Sequence, residues 1–452
     1  MITWSVAAAQ EAGAGQVVVV QGPERELDEV LGDGVAVAIQ EQPRGTADAV
    51  RAAVPHLREA QVVVVMNGDH PLISAQTIQS LVEAHDRSGA AATIATAVLE
   101  DPTGYGRVIR GPDGTVERVV ETKAEGDATG AQLHIREINT GLFAFDGPEL
   151  LSALEEVGSD NAQGELYLPD VLPILRGHER TVQAHEATEA GTMLGINDRA
   201  QLAQVQAVAQ RLINDRLMRA GVTIVDPQSA MIDVTVRIDA DAVIAPFTSL
   251  QGASAVGSAA TVGPLTTLID CQVGAGAAVV HSYAQGAQIG ERVSVGPFAY
   301  LRPGTVLCAG AKAGTFVEIK NSRIGPGSKV PHLSYIGDAE VGEGTNLGAA
   351  TITANYDGTR KHRTKIGDRV KTSVDTTLVA PVSVGDDAVT AAGSVIGQDV
   401  PSGALAGSPG VARSQQRNIE GYAERRKERE EEGPEPAADE RRRPADVNSG
   451  AP

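Results

Sequence analysis

At 452 residues the chain has room for two or three domains. Its formal charge, 38 cations against 58 acids or −20, argues against non-specific binding to nucleic acid or to an anionic membrane. Aromatics are only 3% while glycine reaches 50 residues, so the core must rest on aliphatic and alanine side chains. No apolar run approaches the ~20 residues that span a bilayer, and Met1-Ile-Thr-Trp-Ser-Val carries no basic leader pattern, which predicts a cytoplasmic protein without membrane insertion.

The first 199 residues read as α/β. The apolar runs 16–20, 61–66 and 92–97 are short and β-branched, without polar alternation, and predict buried parallel strands. Helical patterns at 46–60 and 74–87 separate them, which implies a wound sheet with a ligand site at the carboxyl ends of its strands. The run 61–66 leads directly into Asn67-Gly68-Asp69-His70-Pro71. That places Asp69 on a tight turn, where its carboxylate could hold a divalent metal or simply cap the next helix. Gln40, Gly45 and Thr46 stand at a helix start, where free N–H groups could meet a base or a phosphate. Further on, Asp101-Pro-Thr-Gly-Tyr-Gly106-Arg107 allows close backbone approach to a ligand. Glu121-Thr-Lys123, Glu137-Ile-Asn139-Thr-Gly141, Asn161-Ala-Gln-Gly-Glu165-Leu-Tyr167 and Gly195-Ile-Asn197-Asp198 add polar groups around this half. Each alone is ordinary loop chemistry.

Residues 200–220, stopped by Gly221, predict a strongly amphipathic linker helix. From 221 to 413 the period changes to six: Ile289, Val295, Leu301 and Leu307, then Ile324, Val330 and Ile336, then Thr372, Leu378, Val384, Thr390 and Ile396. Three hexads would close one triangular coil of a β-solenoid, with the aliphatic residues stacked inward and glycine or small polar residues at the corners. Six of the eight lysines (Lys312, Lys320, Lys329, Lys361, Lys365, Lys371) lie between 296 and 381 with Arg302, Arg323, Arg360, Arg363 and Arg369. Such a gathering in an acidic chain either offers a site to an anion such as a phosphate or is a solvated rim. His332 is read as the solenoid histidine at a break in the hexads, and its ordinary pKa near 6.5 suits it to accept a proton; His281 and His362 are the weaker candidates. Cys271 and Cys308 have no metal spacing and are expected reduced and packed. The mixed-charge segment 414–452 predicts a disordered tail.

Taken in order, the strings GDHPLI, DPTGYGR, EINTG, NAQGELY, NYDGT and LVAPVSVG closely resemble the bacterial bifunctional family of N-acetylglucosamine-1-phosphate uridyltransferase/glucosamine-1-phosphate N-acetyltransferase. The resemblance runs to about Gln416. It implies a Rossmann-like nucleotidyltransferase domain (1–199), a linker helix (200–220), a left-handed parallel β-helix of hexapeptide repeats (221–413) and a homotrimer with sites between subunits. Its implied reactions are acetyl transfer from acetyl-CoA to glucosamine 1-phosphate, then uridylyl transfer from UTP to give UDP-N-acetylglucosamine for the cell wall. By the same resemblance Asp69 and Asn197 would hold Mg²⁺, while Gln40, Gly45, Thr46, Asn67, Gly106, Glu121 and Asn139 would contact uridine and sugar. His332 would be the base. Arg302, Lys320, Tyr335, Asn346, Asn355 and Tyr356 would take the sugar phosphate, and Ala349, Lys361, Val374 and Ala392 would touch acetyl-CoA.

Three departures carry expectations of their own. The family opens with a strand leading into a loop of the type L-x-x-G-x-G-T-x-M and a lysine that hold the UTP phosphates. Here no GxGT string precedes Gly45 and no lysine precedes Lys123, so a truncated domain lacking its central strand, with crippled nucleotidyl transfer, is expected from either a misplaced start or a genuine truncation. Ser373-Val374-Asp375 replaces glycine-serine-aspartate, and Pro409 stands where some members have an arginine that Arg413 could replace; both would affect CoA affinity. The other functions weighed are an acetyltransferase-only protein, a relative acting on another amino sugar, and a non-catalytic β-helix scaffold with a vestigial cap.

Overall fold

The structure is a computed structural model and describes residues 1–122, 128–159, 164–187, 190–407, 421 and 425. The expectations for Lys123, residues 161–163, Pro409, Arg413 and, apart from 421 and 425, the tail 414–452 lie outside the described residues. Two compact units divide the chain: Met1–Ala220 with Met231–Val234, and Gly221–Ala230 with the residues from Thr235 onward.

The first unit comprises α1 (Ile2–Glu11), β1 (Val17–Gln21), β2 (Val35–Ile39), α2 (Thr46–Leu57), β3 (Val62–Met66), α3 (Ala75–Ser88), β4 (Ala92–Val98), β5 (Arg107–Arg110), β6 (Val116–Val120) and α4 (Gly130–Leu133). It continues with β7 (Glu137–Asp146), α5 (Gly147–Glu156), α6 (Val171–Gly177), β8 (Val182–Glu186) and α7 (Arg199–Arg219). The expected parallel sheet is corrected to a mixed one. β7 is its central strand and runs antiparallel to β3, β4 and β5, whereas β4 and β8 are parallel. The reason lies in its side chains: on β7 Phe143 and Phe145 point to one apolar cluster and Leu142 and Ala144 to the other, so helices cover both faces. A strand buried on both sides shows no alternation of polarity, and its direction is invisible in the sequence.

β1 and β2 form a separate parallel pair, hydrogen-bonded to each other and, among the described residues, to no strand of the six-stranded sheet. Between β1 and β3 lies a cavity of about 1320 Å³, lined by Val17–Val20, Val62–Met66 and the inner face of α2. Helix α3 starts at Ser74, whose hydroxyl accepts the Thr77 N–H at 3.1 Å, and stops at left-handed Gly89. Helix α7 is capped by Asp198 and buries only Val205, Ile213, Asn214 and Leu217, so the strong amphipathicity expected of it is corrected.

The second unit stacks its strands into parallel sheets in which hydrogen-bonded neighbours lie three strands apart in sequence, or two apart between residues 335 and 384. Three strands therefore make one coil of a parallel β-helix. On one face Leu250, Leu268, Ala284, Leu301, Ile319 and Ile336 stack in register, all fully buried. Corner hydroxyls bind successive coils together: Ser322 Oγ donates to the Lys320 carbonyl at 2.8 Å and accepts the Ala339 N–H at 2.8 Å. Several corners carry bulky residues at positive φ rather than glycine, among them Phe247, Leu265, His281, Phe298, Phe316 and Leu333. Their side chains project outward and stack, Phe298 on Phe316 at 5.3 Å and His281 on Phe298 at 4.3 Å, which offsets the left-handed backbone.

The hexad break expected at His332 is also corrected. His332 ends the strand Lys329–His332, paired in register with Thr315, and the coil there is unbroken. The insertion comes later, where the register step grows from 17 residues (323 to 340) to 25 (340 to 365). The extra residues form a small loop in which Tyr356 bridges Lys361.

Candidate active sites

Round one corner of the β-helix a single motif repeats. Leu333, Ala350, Asp375 and Gly393 have left-handed backbones. The Ala350 N–H donates to the His332 carbonyl at 3.2 Å, that of Asp375 to Ala349 at 2.9 Å and that of Gly393 to Val374 at 3.0 Å. His332, Ala349, Val374 and Ala392, separated by 17 to 25 residues in sequence, thus occupy equivalent positions on four successive coils. The histidine side chain is exposed, and Val374 is 49% exposed.

The strand Tyr335–Gly337 leads from this corner to the sugar-phosphate candidates. Lys320 is in register with Gly337, and the Arg302 N–H donates to the Ile319 carbonyl at 2.8 Å, so both cations project from adjacent coils at the end of one face. A Cβ on residue 337 would lie 2.5 Å from the Tyr335 hydroxyl and 2.8 Å from Asn355 Nδ2; glycine lets both side chains fold over the strand. Arg302 Nη1 is 2.9 Å from Glu318 Oε1, with its guanidinium 5.9 Å from the centre of the Tyr300 ring. Lys361, expected beside acetyl-CoA, lies against Lys320, and its contact with that second ammonium lowers its pKa.

Asp338, which sequence reasoning missed, accepts hydrogen bonds from Asn321 Nδ2 and Asn355 Nδ2 and is 6% exposed. Burial opposes its ionisation, but those two amides, with Lys320 and Lys361, hold its carboxyl below the usual range. In the inserted loop Asp357 Oδ1 accepts the Thr359 and Arg360 N–H groups at 2.7 and 2.6 Å, and Oδ2 lies 2.6 Å from His362 Nε2. The bond from Arg360 is the largest cause of a pKa lowered to about 2. Asn346 stands apart: it bridges Lys329 and Lys371 on the neighbouring face, away from the face that carries Arg302 and Lys320.

In the α/β unit the candidates gather at strand ends. The Asn67 amide lies against Gly141, the Asn139 N–H donates to the Gly106 carbonyl at 2.9 Å, and Glu121 Oε1 sits beside Gly106. Thr122 Oγ1 and the Arg107 guanidinium both donate to the Tyr105 carbonyl, locking that turn. Burial, and to a lesser degree the charge of Asp69, push the Tyr105 phenol up. Asp69 Oδ1 is 2.7 Å from His70 Nδ1, and the Ile196 N–H donates to the Asp69 carbonyl at 3.1 Å, bringing the exposed Asn197 to the same turn. Gln40, Gly45 and Thr46 make a different group. Gln40 Nε2 donates to the Gly45 carbonyl at 3.1 Å and to Asp48 at 3.0 Å, while Thr46 Oγ1 accepts the Leu168 N–H at 2.9 Å.

A nucleotidyltransferase-type α/β unit followed by a β-helix of hexapeptide repeats, with a histidine on an open corner, defines a two-headed transferase. Residues 1–137 match the MobA-like NTP transferase domain family. The chain is 48% identical over 437 residues to the bifunctional protein GlmU of Mycolicibacterium vanbaalenii, covering 94% of this chain and 87% of that one. It is 50% identical over 434 residues to that of Streptomyces coelicolor, covering 93% and 88% respectively. It is 47% identical over 403 residues to that of Corynebacterium glutamicum, covering 89% and 82%. The chain belongs to the bifunctional GlmU family, with acetyl- and uridyl-transferase roles in UDP-N-acetylglucosamine synthesis.

Proposed function

We propose that His332 is the general base of acetyl transfer from acetyl-CoA to glucosamine 1-phosphate. The supporting observation is the rung-by-rung alignment of His332 with Ala349, Val374 and Ala392, which offers the thioester a narrow path of small side chains ending at the imidazole. Arg302 and Lys320 take the phosphate, Tyr335, Asn355 and Tyr356 take the sugar, and Lys361 meets acetyl-CoA beside them. His332 removes a proton from the substrate ammonium, and the freed amine attacks the thioester carbonyl. As the tetrahedral centre collapses the C–N bond is kept, the C–S bond breaks, and the CoA thiolate takes up a proton that the nitrogen loses. Asn346, displaced to the neighbouring face, acts on the site of a second copy in a homotrimer. The exposed ridge Phe247, Leu265, Phe298, Phe316 and Leu333 is apolar surface for such copies to cover.

In the α/β unit Asp69 and Asn197 would hold Mg²⁺. Among the described residues no three His, Cys, Asp or Glu groups cluster as a metal cage. One carboxylate and one amide fit an ion that takes most of its ligands from water and substrate phosphates. When bound, the ion neutralises charge on UTP, while Asn67, Gly106, Glu121 and Asn139 orient base and sugar and Gln40, Gly45 and Thr46 line the start of α2. We also propose that acetyl transfer is the stronger activity of this chain. Supporting this is the large cavity between β1 and β3, which leaves the β1–β2 pair beside α2 without a ladder to the six-stranded sheet. A cytoplasmic location follows from these substrates; no helix among the described residues is long and apolar enough to cross a membrane.

The test is acetyl-CoA consumption with glucosamine 1-phosphate, compared between the chain and His332→Ala. Equal silence of the two would overturn the catalytic reading of the corner and favour the scaffold.

A further inference from the structure

We propose that His70 is a positioning residue for the Asp69 carboxylate, and that Gly195 is the counterpart that makes room for it. The inference rests on the reading of Asp69 as a metal ligand. His70 is 6% exposed, and its Nδ1 lies 2.7 Å from Asp69 Oδ1. An ionised carboxylate only accepts, so Nδ1 carries the hydrogen and the ring is held in one tautomer. The imidazole therefore helps to fix the rotation of a side chain that is itself 42% exposed.

The other side of the ring explains Gly195. A Cβ there would sit 2.9 Å from both Cε1 and Nε2 of His70, closer than real contacts allow. With glycine, the backbone at residue 195 lies against the imidazole. Two further bonds hold it there: the Gly195 N–H donates to the Tyr105 hydroxyl at 3.4 Å and the Ile196 N–H to the Asp69 carbonyl at 3.1 Å. One buried ring thus sets both the angle of Asp69 and the approach of the segment carrying Asn197. Residues that orient a metal ligand typically change metal affinity by about 10- to 100-fold when removed.

The experiment measures Mn²⁺ binding to the full chain by the loss of free-ion electron paramagnetic resonance signal, with thermal melts run alongside. Asp69→Asn tests the underlying reading; His70→Phe keeps the ring and removes the bond; His70→Asn restores a short donor; Gly195→Ala crowds the ring. Expected is an affinity about 10- to 100-fold weaker for His70→Phe and Gly195→Ala, largely recovered in His70→Asn, with Gly195→Ala adding little in the His70→Asn background. Should Asp69→Asn weaken binding while His70→Phe binds as the parent does, His70 is packing only and the inference fails. Should Asp69→Asn bind as the parent does, the metal reading falls and the inference with it. If His70→Phe does not fold, His70→Asn and the double variant decide by the same criteria.

Discussion

The two units bury similar aliphatic side chains in opposite ways. In the β-helix the inward residues rest on their equivalents one coil away, and parallel ladders carry that register from coil to coil. In the α/β unit the strands are paired across long stretches of sequence, the sheet is divided, and about 1320 Å³ stays unfilled between β1 and β3. A neighbour-stacked core tolerates an eight-residue excursion at 355–362 because only adjacent coils feel it; a wound sheet depends on strands that are distant in the chain. The proposed sites follow the same division: one candidate set is aligned by repetition along a corner, the other by convergence of loops at strand ends.

That contrast is open to experiment. The largest effect expected is on His332→Ala, which should slow acetyl transfer by about 10²- to 10⁴-fold. Because the side chain is exposed, the melting temperature should stay unchanged, and a shift would mean that the corner is structural. Next, Ile319→Ala, inside a fully buried column, should cost about 2–5 kcal/mol in denaturant unfolding. Val64→Ala already borders open space and should cost less than half as much; equal costs would erase the distinction between filled and unfilled cores. Gly337→Ala, forcing Tyr335 and Asn355 apart, should raise the KM for glucosamine 1-phosphate about tenfold with a small change in kcat, as expected for lost ground-state binding. Hydrogen exchange offers a subtler comparison: amides of β1 and β3 on the cavity side should exchange faster than the inward columns of the β-helix. The smallest effect concerns acid. Asp357 titrates at about 2 in the folded loop against an ordinary 3.8, so its ordering of 355–362 is complete above about pH 4 and is lost as pH falls toward 2. Pepsin cleavage at Tyr356 should rise over that interval.

Much of this was legible in the residues, and the rest was hidden for physical reasons. The six-residue rhythm identifies the inward columns because burial selects Leu301, Ile319 or Val330 by side chain alone. It does not say which face an outward residue occupies, since all three faces share one period; that Asn346 lies on the face next to Arg302 and not on the same one could not be read from it. The polar partners Glu318 and Asp338 escape sequence reading because their roles exist only through neighbours 16 or 17 positions away, and His70 because its burial against a remote glycine is not visible beside Asp69 in the sequence. The one signal available for Asp338 is a carboxylate directly after the glycine that closes a strand. The direction of β7 is equally hidden, because a run buried on both faces has no pattern to orient it.

The hydrogen-bonded corner begins well below the histidine, where the Leu265 N–H donates to the Pro246 carbonyl and that of His281 to Pro264. Each coil is held by its immediate neighbours in the stack. The number of coils is therefore decoupled from what the corner at His332 presents: a descendant that gained or lost a full coil before residue 289 would carry the same histidine-bearing corner on a taller or shorter pedestal.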